Sequence, residues 1–251
     1  MKKWLGKIIN KAGYSVVKAH DQLQEYRSDP EFMELYALCN PYTMTSIERM
    51  YSLYLSTKYI LNNDIKGDFV ECGVWRGGCP MLIAKMLQNR NIRERKIYLY
   101  DTFEGMSAPT NMDFDFRGNN AAKMLKENVN QKETSVWCLA DLAEVTHNMG
   151  LTGYPAENIV YVQGKVEDTI PSTVPSGPIA ILRLDTDWYE STWHELVHLY
   201  PMLTKDGVLI IDDYGHWEGC RKAVDEYFEK EKVRMLLHRI DYTGRIGVKN
   251  E

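Results

Sequence analysis

No apolar run in this sequence approaches the roughly 20 residues that cross a bilayer, which excludes a transmembrane helix. There is no CxxC pair. The five cysteines, Cys39, Cys72, Cys79, Cys138 and Cys220, are odd in number and irregular in spacing. This excludes a regular disulfide framework and fits reduced thiols in a cytoplasm. No stretch rich in Pro, Gly and Ser divides the chain, and no repeat is visible, so its 251 residues are expected to build one large core with at most a small appendage. A basic excess is also missing. With 35 acidic and 30 basic side chains the formal net charge is −5, which argues against a general nucleic-acid partner while leaving room for a local basic pocket. The first residues are basic, but Lys7, Asn10 and Lys11 break their apolar stretch, so no secretory signal is expected. Trp4, Ile8 and Ile9 fit one side of a short helix lying on the body or on a partner subunit. The expectation is a soluble cytoplasmic protein without stable membrane insertion, free to form a homo-oligomer.

What is present is an alternation of helical periodicity with short apolar runs. Residues 1–66 read as an N-terminal helical cap or lid. Thr45 and Glu48 have capping-box spacing, and Ile47, Met50, Tyr51, Tyr54 and Leu55 recur at helical intervals. From residue 67 onward five apolar runs read as strands: Phe69–Cys72, Lys96–Tyr100, Ile159–Val162, Ile179–Leu184 and Val208–Ile211. Continuous apolar runs separated by helices indicate strands buried on both faces, hence a mostly parallel α/β sheet. Met235–Ile240 and Arg245–Val248, separated by a turn at 241–244, predict a terminal antiparallel hairpin, for seven strands in all. Segment 106–150 is polar and reads as a helical insertion or flap.

Unusual residues collect where these strands end: Glu71 with Gly73, Asp101, Gln163 with Gly164, Asp185 with Asp187, and Asp212 with Asp213. Parallel sheets bind ligands at the carboxyl ends of their strands. Gly73, Gly77 and Gly78 permit a tight turn and close approach of a ligand, or serve turn geometry alone. Their spacing is not the dinucleotide fingerprint, and there is no nucleotide-triphosphate loop. Asp101, at the second strand end, can accept both hydroxyls of a ribose, or cap a helix. Asp185, Asp187, Asp212 and Asp213 crowd two strand ends. Unpaired carboxylates so placed repel, and a hard divalent cation removes that cost. The alternative is a set of helix caps and surface acids. His194-Glu195-Leu196-Val197-His198 matches the zinc-protease pattern H-E-x-x-H. It is not read as one, because no third ligand follows in that pattern and the helix has a sheet-covering face of Leu196, Leu199 and Leu203.

These motifs carry a resemblance. Phe69-Val70-Glu71-Cys72-Gly73-Val74-Trp75-Arg76-Gly77-Gly78, Tyr100-Asp101-Thr102-Phe103-Glu104-Gly105-Met106, Leu184-Asp185-Thr186-Asp187-Trp188-Tyr189-Glu190-Ser191-Thr192 and Ile211-Asp212-Asp213-Tyr214 resemble the macrocin O-methyltransferase family. The resemblance spans roughly residues 40–240. It implies a Rossmann-like class I methyltransferase fold over 67–251 and S-adenosylmethionine and Mg2+ as cofactors. It also implies a small hydroxylated, sugar-containing acceptor from a natural product or polysaccharide precursor. By resemblance Glu71 and Gly73 line the methionine part of the cofactor, and Trp75, Gly77 and Gly78 belong to the same loop. Asp101 holds the ribose, and Gln163 and Gly164 lie by the adenine. Asp185, Asp212 and Asp213 bind the metal. Asp185, and after it Asp187, is the expected general base. An NAD-dependent oxidoreductase would need the fingerprint this chain lacks, and a non-catalytic interaction protein would not need the acidic cluster.

Overall fold

The computed structural model describes residues 25–130 and 137–251; the Trp4, Ile8 and Ile9 face lies outside them. Seven strands form one sheet: β1 (Asp68–Cys72), β2 (Ile97–Asp101), β3 (Ile159–Gln163), β4 (Ile179–Leu184), β5 (Leu203–Ile211), β6 (His238–Arg239) and β7 (Arg245–Val248). Their order is β3-β2-β1-β4-β5-β7-β6. The first five are parallel, while β7 runs antiparallel to both β5 and β6. The chain therefore reverses its direction of travel across the sheet between β1 and β4, and the crevice at that switch point is where such sheets bind ligands.

The helices are α1 (Pro30–Cys39), α2 (Ile47–Asn62), α3 (Gly78–Asn89), α4 (Ala121–Glu127), α5 (Leu142–Gly150), α6 (Val166–Thr169), α7 (Tyr189–Leu199) and α8 (Glu218–Glu231). Strand side chains alternate between faces. Phe69, Leu99, Ile181 and Ile210 therefore join the core beneath α1, α2 and α3, while Val70, Tyr100, Leu182 and Ile211 join the core with α7 and α8. The N-terminal helices share the first of these cores through Phe32, Leu35, Met50, Leu53 and Ile60.

Two local expectations are corrected. The residue that caps α2 is Ser46, whose hydroxyl accepts from the amide of Arg49, and not Thr45. β5 begins at Leu203 rather than after Gly207, because a register shift against β4 absorbs Gly207 within the strand. A side chain at Gly207 would meet the Thr204 carbonyl at 2.8 Å.

Within segment 106–150, residues 107–121 are pinned to the body. Trp188 donates its indole N–H to the Ser107 carbonyl at 3.1 Å. The fully buried Asp113 accepts from the amide of Tyr189, the first residue of α7, at 2.9 Å, and so caps that helix from another part of the chain. Asp115 bridges to Trp217.

Candidate active site

The ladder of parallel hydrogen bonds continues one residue past the strands. Gly73 donates to the carbonyl of Tyr100 (2.8 Å), Asp185 to Cys72 (2.8 Å), Asp212 to Leu184 (2.9 Å) and Gly164 to Asp101 (2.9 Å). This sets the residues after the strands level with one another along the crevice. Gly73 is dictated by that closeness: at φ +81°, a Cβ there would lie 2.0 Å from the carbonyl oxygen of Asp185. We expect Gly73→Ala to cost about 3 kcal/mol from backbone strain and displacement of β4. That lowers Tm by roughly 6–12 °C in a thermal melt. An unchanged Tm would show that the loop yields without cost. Gly78 is likewise a packing glycine, with Thr43 Cβ and the Tyr42 carbonyl 2.7 Å from where its side chain would begin. Gly77 begins α3 with a left-handed backbone.

One cavity opens at the switch point. Its charged lining consists of Glu71, Asp101, Asp185, Asp187, Asp212 and Asp213 against Arg49 and Arg183. Six carboxylates face two guanidiniums, which suits cationic ligands. Period-2 alternation divides these acids. Glu71, Arg183 and Asp212 point to the face covered by α2, with Glu71 and Arg183 in register on neighbouring strands. Arg183, almost wholly buried, donates to Glu71 at 2.5 Å, to Asp185 at 2.7 Å and to Asp212 at 2.6 Å. Arg49, from α2, pairs with the other oxygen of Asp212 and reaches Asp241 at 3.1 Å.

Asp213, the next residue after Asp212, points the opposite way. It meets Asp185 and Asp187, with an oxygen from each of the three lying within 4.8 Å of the others. Among the described residues no other group of three or more His, Cys, Asp or Glu side chains converges so. The structure does not bring Asp212 to this cluster, although the sequence reading joined it to Asp185 and Asp213. Its two oxygens are instead taken by Arg183 and Arg49. Arg183, two residues before Asp185, supplies a basic partner to this side of the site.

The cluster is electrostatically incomplete. Oδ2 of Asp213 is buried and accepts no hydrogen bond. Burial, then the charges of Asp187 and Asp185, push the Asp213 carboxyl far up. Burial also raises Asp187, with Asp185 adding to it. Asp187 has φ +69°, a left-handed backbone that a non-glycine residue adopts at a cost of about 1–3 kcal/mol. A divalent cation fits this donor set of hard oxygens.

The cofactor side is as follows. One oxygen of Glu71 is buried without a partner, and burial pushes its carboxyl up to about 8 despite the pull of Arg183. Asp101 lines the cavity, but its carboxylate already accepts from the amides of Val74 (2.6 Å), Trp75 (3.2 Å) and Phe103 (2.8 Å). It shapes the β1 loop as well as facing the crevice. Trp75, left-handed at φ +47°, also lines the cavity, while its indole N–H is buried without an acceptor. Gly164 borders an adjoining hollow with Asp101, Thr102 and Lys165, and the exposed Gln163 lines a separate hollow with Glu104, Gly164 and Lys165.

The H-E-x-x-H match assembles no metal site. His194 is held by the Ile170 carbonyl at 2.7 Å, and the buried Glu195 accepts from the Thr186 hydroxyl at 2.9 Å. No described helix is long and apolar enough to cross a membrane.

Residues 9–247 match the macrocin-O-methyltransferase (TylF) family. The demethyldecarbamoylnovobiocin O-methyltransferase of Streptomyces niveus is 33% identical over 82% of this chain and 74% of its own length. The mycinamicin III 3''-O-methyltransferase of Micromonospora griseorubida is 32% identical over 81% and 76%. The solved structure of the O-methyltransferase NovP is 30% identical with a TM-score of 0.72, covering 84% of this chain and 83% of NovP. The calicheamicin methyltransferase CalS11 shares the fold at 18% identity and a TM-score of 0.63, covering 91% of this chain and 98% of CalS11.

Proposed function

The chain belongs to the macrocin-O-methyltransferase family and is an S-adenosylmethionine-dependent O-methyltransferase, and on that premise we propose that it methylates a hydroxyl of a sugar-containing natural product or polysaccharide precursor with the help of Mg2+. The observation that carries the metal reading is the convergence of Asp185, Asp187 and Asp213 around a buried carboxylate oxygen without a partner. The sugar reading rests on a relative from Streptomyces olivaceus, 31% identical over 81% of this chain, whose name, 8-demethyl-8-(2,3-dimethoxy-alpha-L-rhamnosyl)-tetracenomycin-C 4'-O-methyltransferase, contains a rhamnosyl group.

S-adenosylmethionine, when bound, supplies a methyl group already activated on a sulfonium. Glu71, with its orphaned oxygen, would receive the ammonium of the methionine part beside Gly73, and Trp75, Gly77 and Gly78 would shape the loop around it. Asp101 would face the ribose, and Gln163 and Gly164 the adenine. Asp185 and Asp213 would hold the cation, with Asp212 as third ligand once its carboxylate leaves Arg49 and Arg183. A cation there lowers the pKa of an acceptor hydroxyl and orients it. Of the two candidate bases we favour Asp187 over Asp185: Asp185 is tied to Arg183, whereas Asp187 is raised and positioned by its backbone. Neighbouring negative charge keeps a carboxylate basic enough to take a proton.

The convergence itself favours a second reading, in which Asp187 is the third ligand and Asp212 stays with its guanidiniums. Mn2+ binding to Asp187→Asn and Asp212→Asn separates the two. On the first reading Asp212→Asn weakens Mn2+ at least about tenfold and Asp187→Asn by less than about threefold, since one lost carboxylate ligand removes a strong charge contact. The second reading expects the reverse order. The function as a whole is tested by transfer of labelled methyl from S-adenosylmethionine to a panel of glycosides after chelator treatment, across a Mg2+ titration. Activity restored by Mg2+ supports it; full activity in chelator sinks the metal reading.

A further inference from the structure

Three elements separate in sequence meet at the loop that follows Asp212 and Asp213, outside the residues that line the cavity. The pinned segment 107–121 brings Phe116, the loop after β5 brings His216, and the turn between β6 and β7 brings Tyr242. Their rings stand edge to face in every pairing: Phe116 to His216 at 5.4 Å, Phe116 to Tyr242 at 5.9 Å and His216 to Tyr242 at 5.9 Å. The His216 ring nitrogen Nδ1 lies 3.1 Å from the Tyr242 hydroxyl. Phe116 is nevertheless 48% exposed and Tyr242 52%. The rings are thus ordered by one another and open to solvent, with the Arg117 guanidinium over Phe116 at 5.0 Å.

The array is tied to the cluster on both sides. The His216 amide donates to the carbonyl of Asp213 at 2.9 Å. Thr243, next to Tyr242, donates its hydroxyl to the carbonyl of Asp212 at 2.7 Å. Neither bond is needed to build the sheet, and together they fix the rings relative to the acids that the methyl-transfer reading uses.

We propose that Phe116, Tyr242 and His216 form an acceptor subsite that takes a pyranose ring, its C–H face against the Tyr242 ring and its edge against Phe116, while the His216 and Arg117 donors meet its hydroxyls. The proposal rests on the methyl-transfer reading for the position of the reacting hydroxyl, but its recognition chemistry stands on the rings themselves. Aromatic rings with polar tips suit a ligand that is apolar on one face and hydroxylated at its edge. The patch also has the wrong size for a protein partner: two half-exposed rings and the less exposed His216 are a small part of the roughly 800 Å² per side that a stable interface buries.

The test is saturation-transfer NMR with methyl α-L-rhamnopyranoside on protein loaded with S-adenosylhomocysteine and Mg2+, with S-adenosylhomocysteine affinity measured separately by calorimetry. The wild type is expected to show transfer to the probe. Phe116→Ala and Tyr242→Ala should each weaken its binding about threefold to tenfold, the range that one aromatic contact supplies. Tyr242→Phe, which keeps the ring, should retain most of it. Cofactor affinity should be unchanged throughout, since none of these side chains lines the cavity beside Glu71 and Asp101. Absence of probe binding by the loaded wild type, or its full retention in Phe116→Ala with Tyr242→Ala combined, overturns the subsite. Retention together with a change in oligomeric state assigns the rings to a second copy of the chain and overturns it as well. Failure of the wild type to bind S-adenosylhomocysteine at all is a separate result, which counts against the methyl-transfer reading.

Discussion

Asp213→Asn is expected to lower methyl transfer by about a thousandfold or more while raising the melting temperature of the protein. The first effect follows from the role proposed for the carboxylate. A metal centre supplies several kcal/mol of stabilisation in such a reaction, and each 1.36 kcal/mol is about tenfold in rate. The second follows from the structure in hand. Asp213 is 8% exposed, one of its oxygens accepts no hydrogen bond, and burial beside Asp185 and Asp187 makes its ionisation costly. An amide of the same size removes that cost without opening a cavity, and a single stabilising change is commonly worth about 0.5–2 kcal/mol. Methyl-transfer kinetics and a thermal melt on one preparation check both halves. A variant that is less active because it is less stable would contradict the account, since it would make Asp213 a structural residue.

Arg183→Met should be the most destabilising single change at the site, by about 3–5 kcal/mol in chemical unfolding. The guanidinium is the common partner of Glu71, Asp185 and Asp212, and both Glu71 and Asp212 are nearly inaccessible to water. Methionine matches much of its volume and removes the charge, so both buried acids lose a donor together. Lys at this position is not expected to rescue, because a point charge cannot serve three carboxylates with the geometry of a planar fork. A loss below about 1 kcal/mol would mean that water reaches these acids and that the network carries little stability.

The strand ends were legible because each parallel strand is an apolar run that stops at an acid or glycine. Those residues, from Glu71 through Asp101 and Asp185 to Asp213, do border one crevice or its rim. The side that Glu71 takes was legible as well. Alternation puts Glu71 with Phe69 and Arg183 with Ile181, so that both acid and base share the face of those apolar neighbours. The register that sets Glu71 beside Arg183 was not readable, since it arises from the packing of whole strands rather than from either residue. Arg49 was hidden for a similar reason. It lies in α2, 163 residues from Asp212, and only the docking of that helix brings the two together. Asp113 reads locally as one more polar residue in a loop, and its capping of α7 exists only in three dimensions. The glycines were legible as necessary but their reason was not: Gly73 and Gly78 make room for backbone and side chains of the protein itself.

The most direct test of the central claim is an experimental structure with S-adenosylhomocysteine and Mg2+ bound. The account predicts the cofactor in the crevice between β1 and β4, its amino-acid end at Glu71 and Gly73, and the ion coordinated by Asp185 and Asp213. An ion bound elsewhere, or a cofactor that leaves Glu71 untouched with the carboxylate cluster empty, would contradict it.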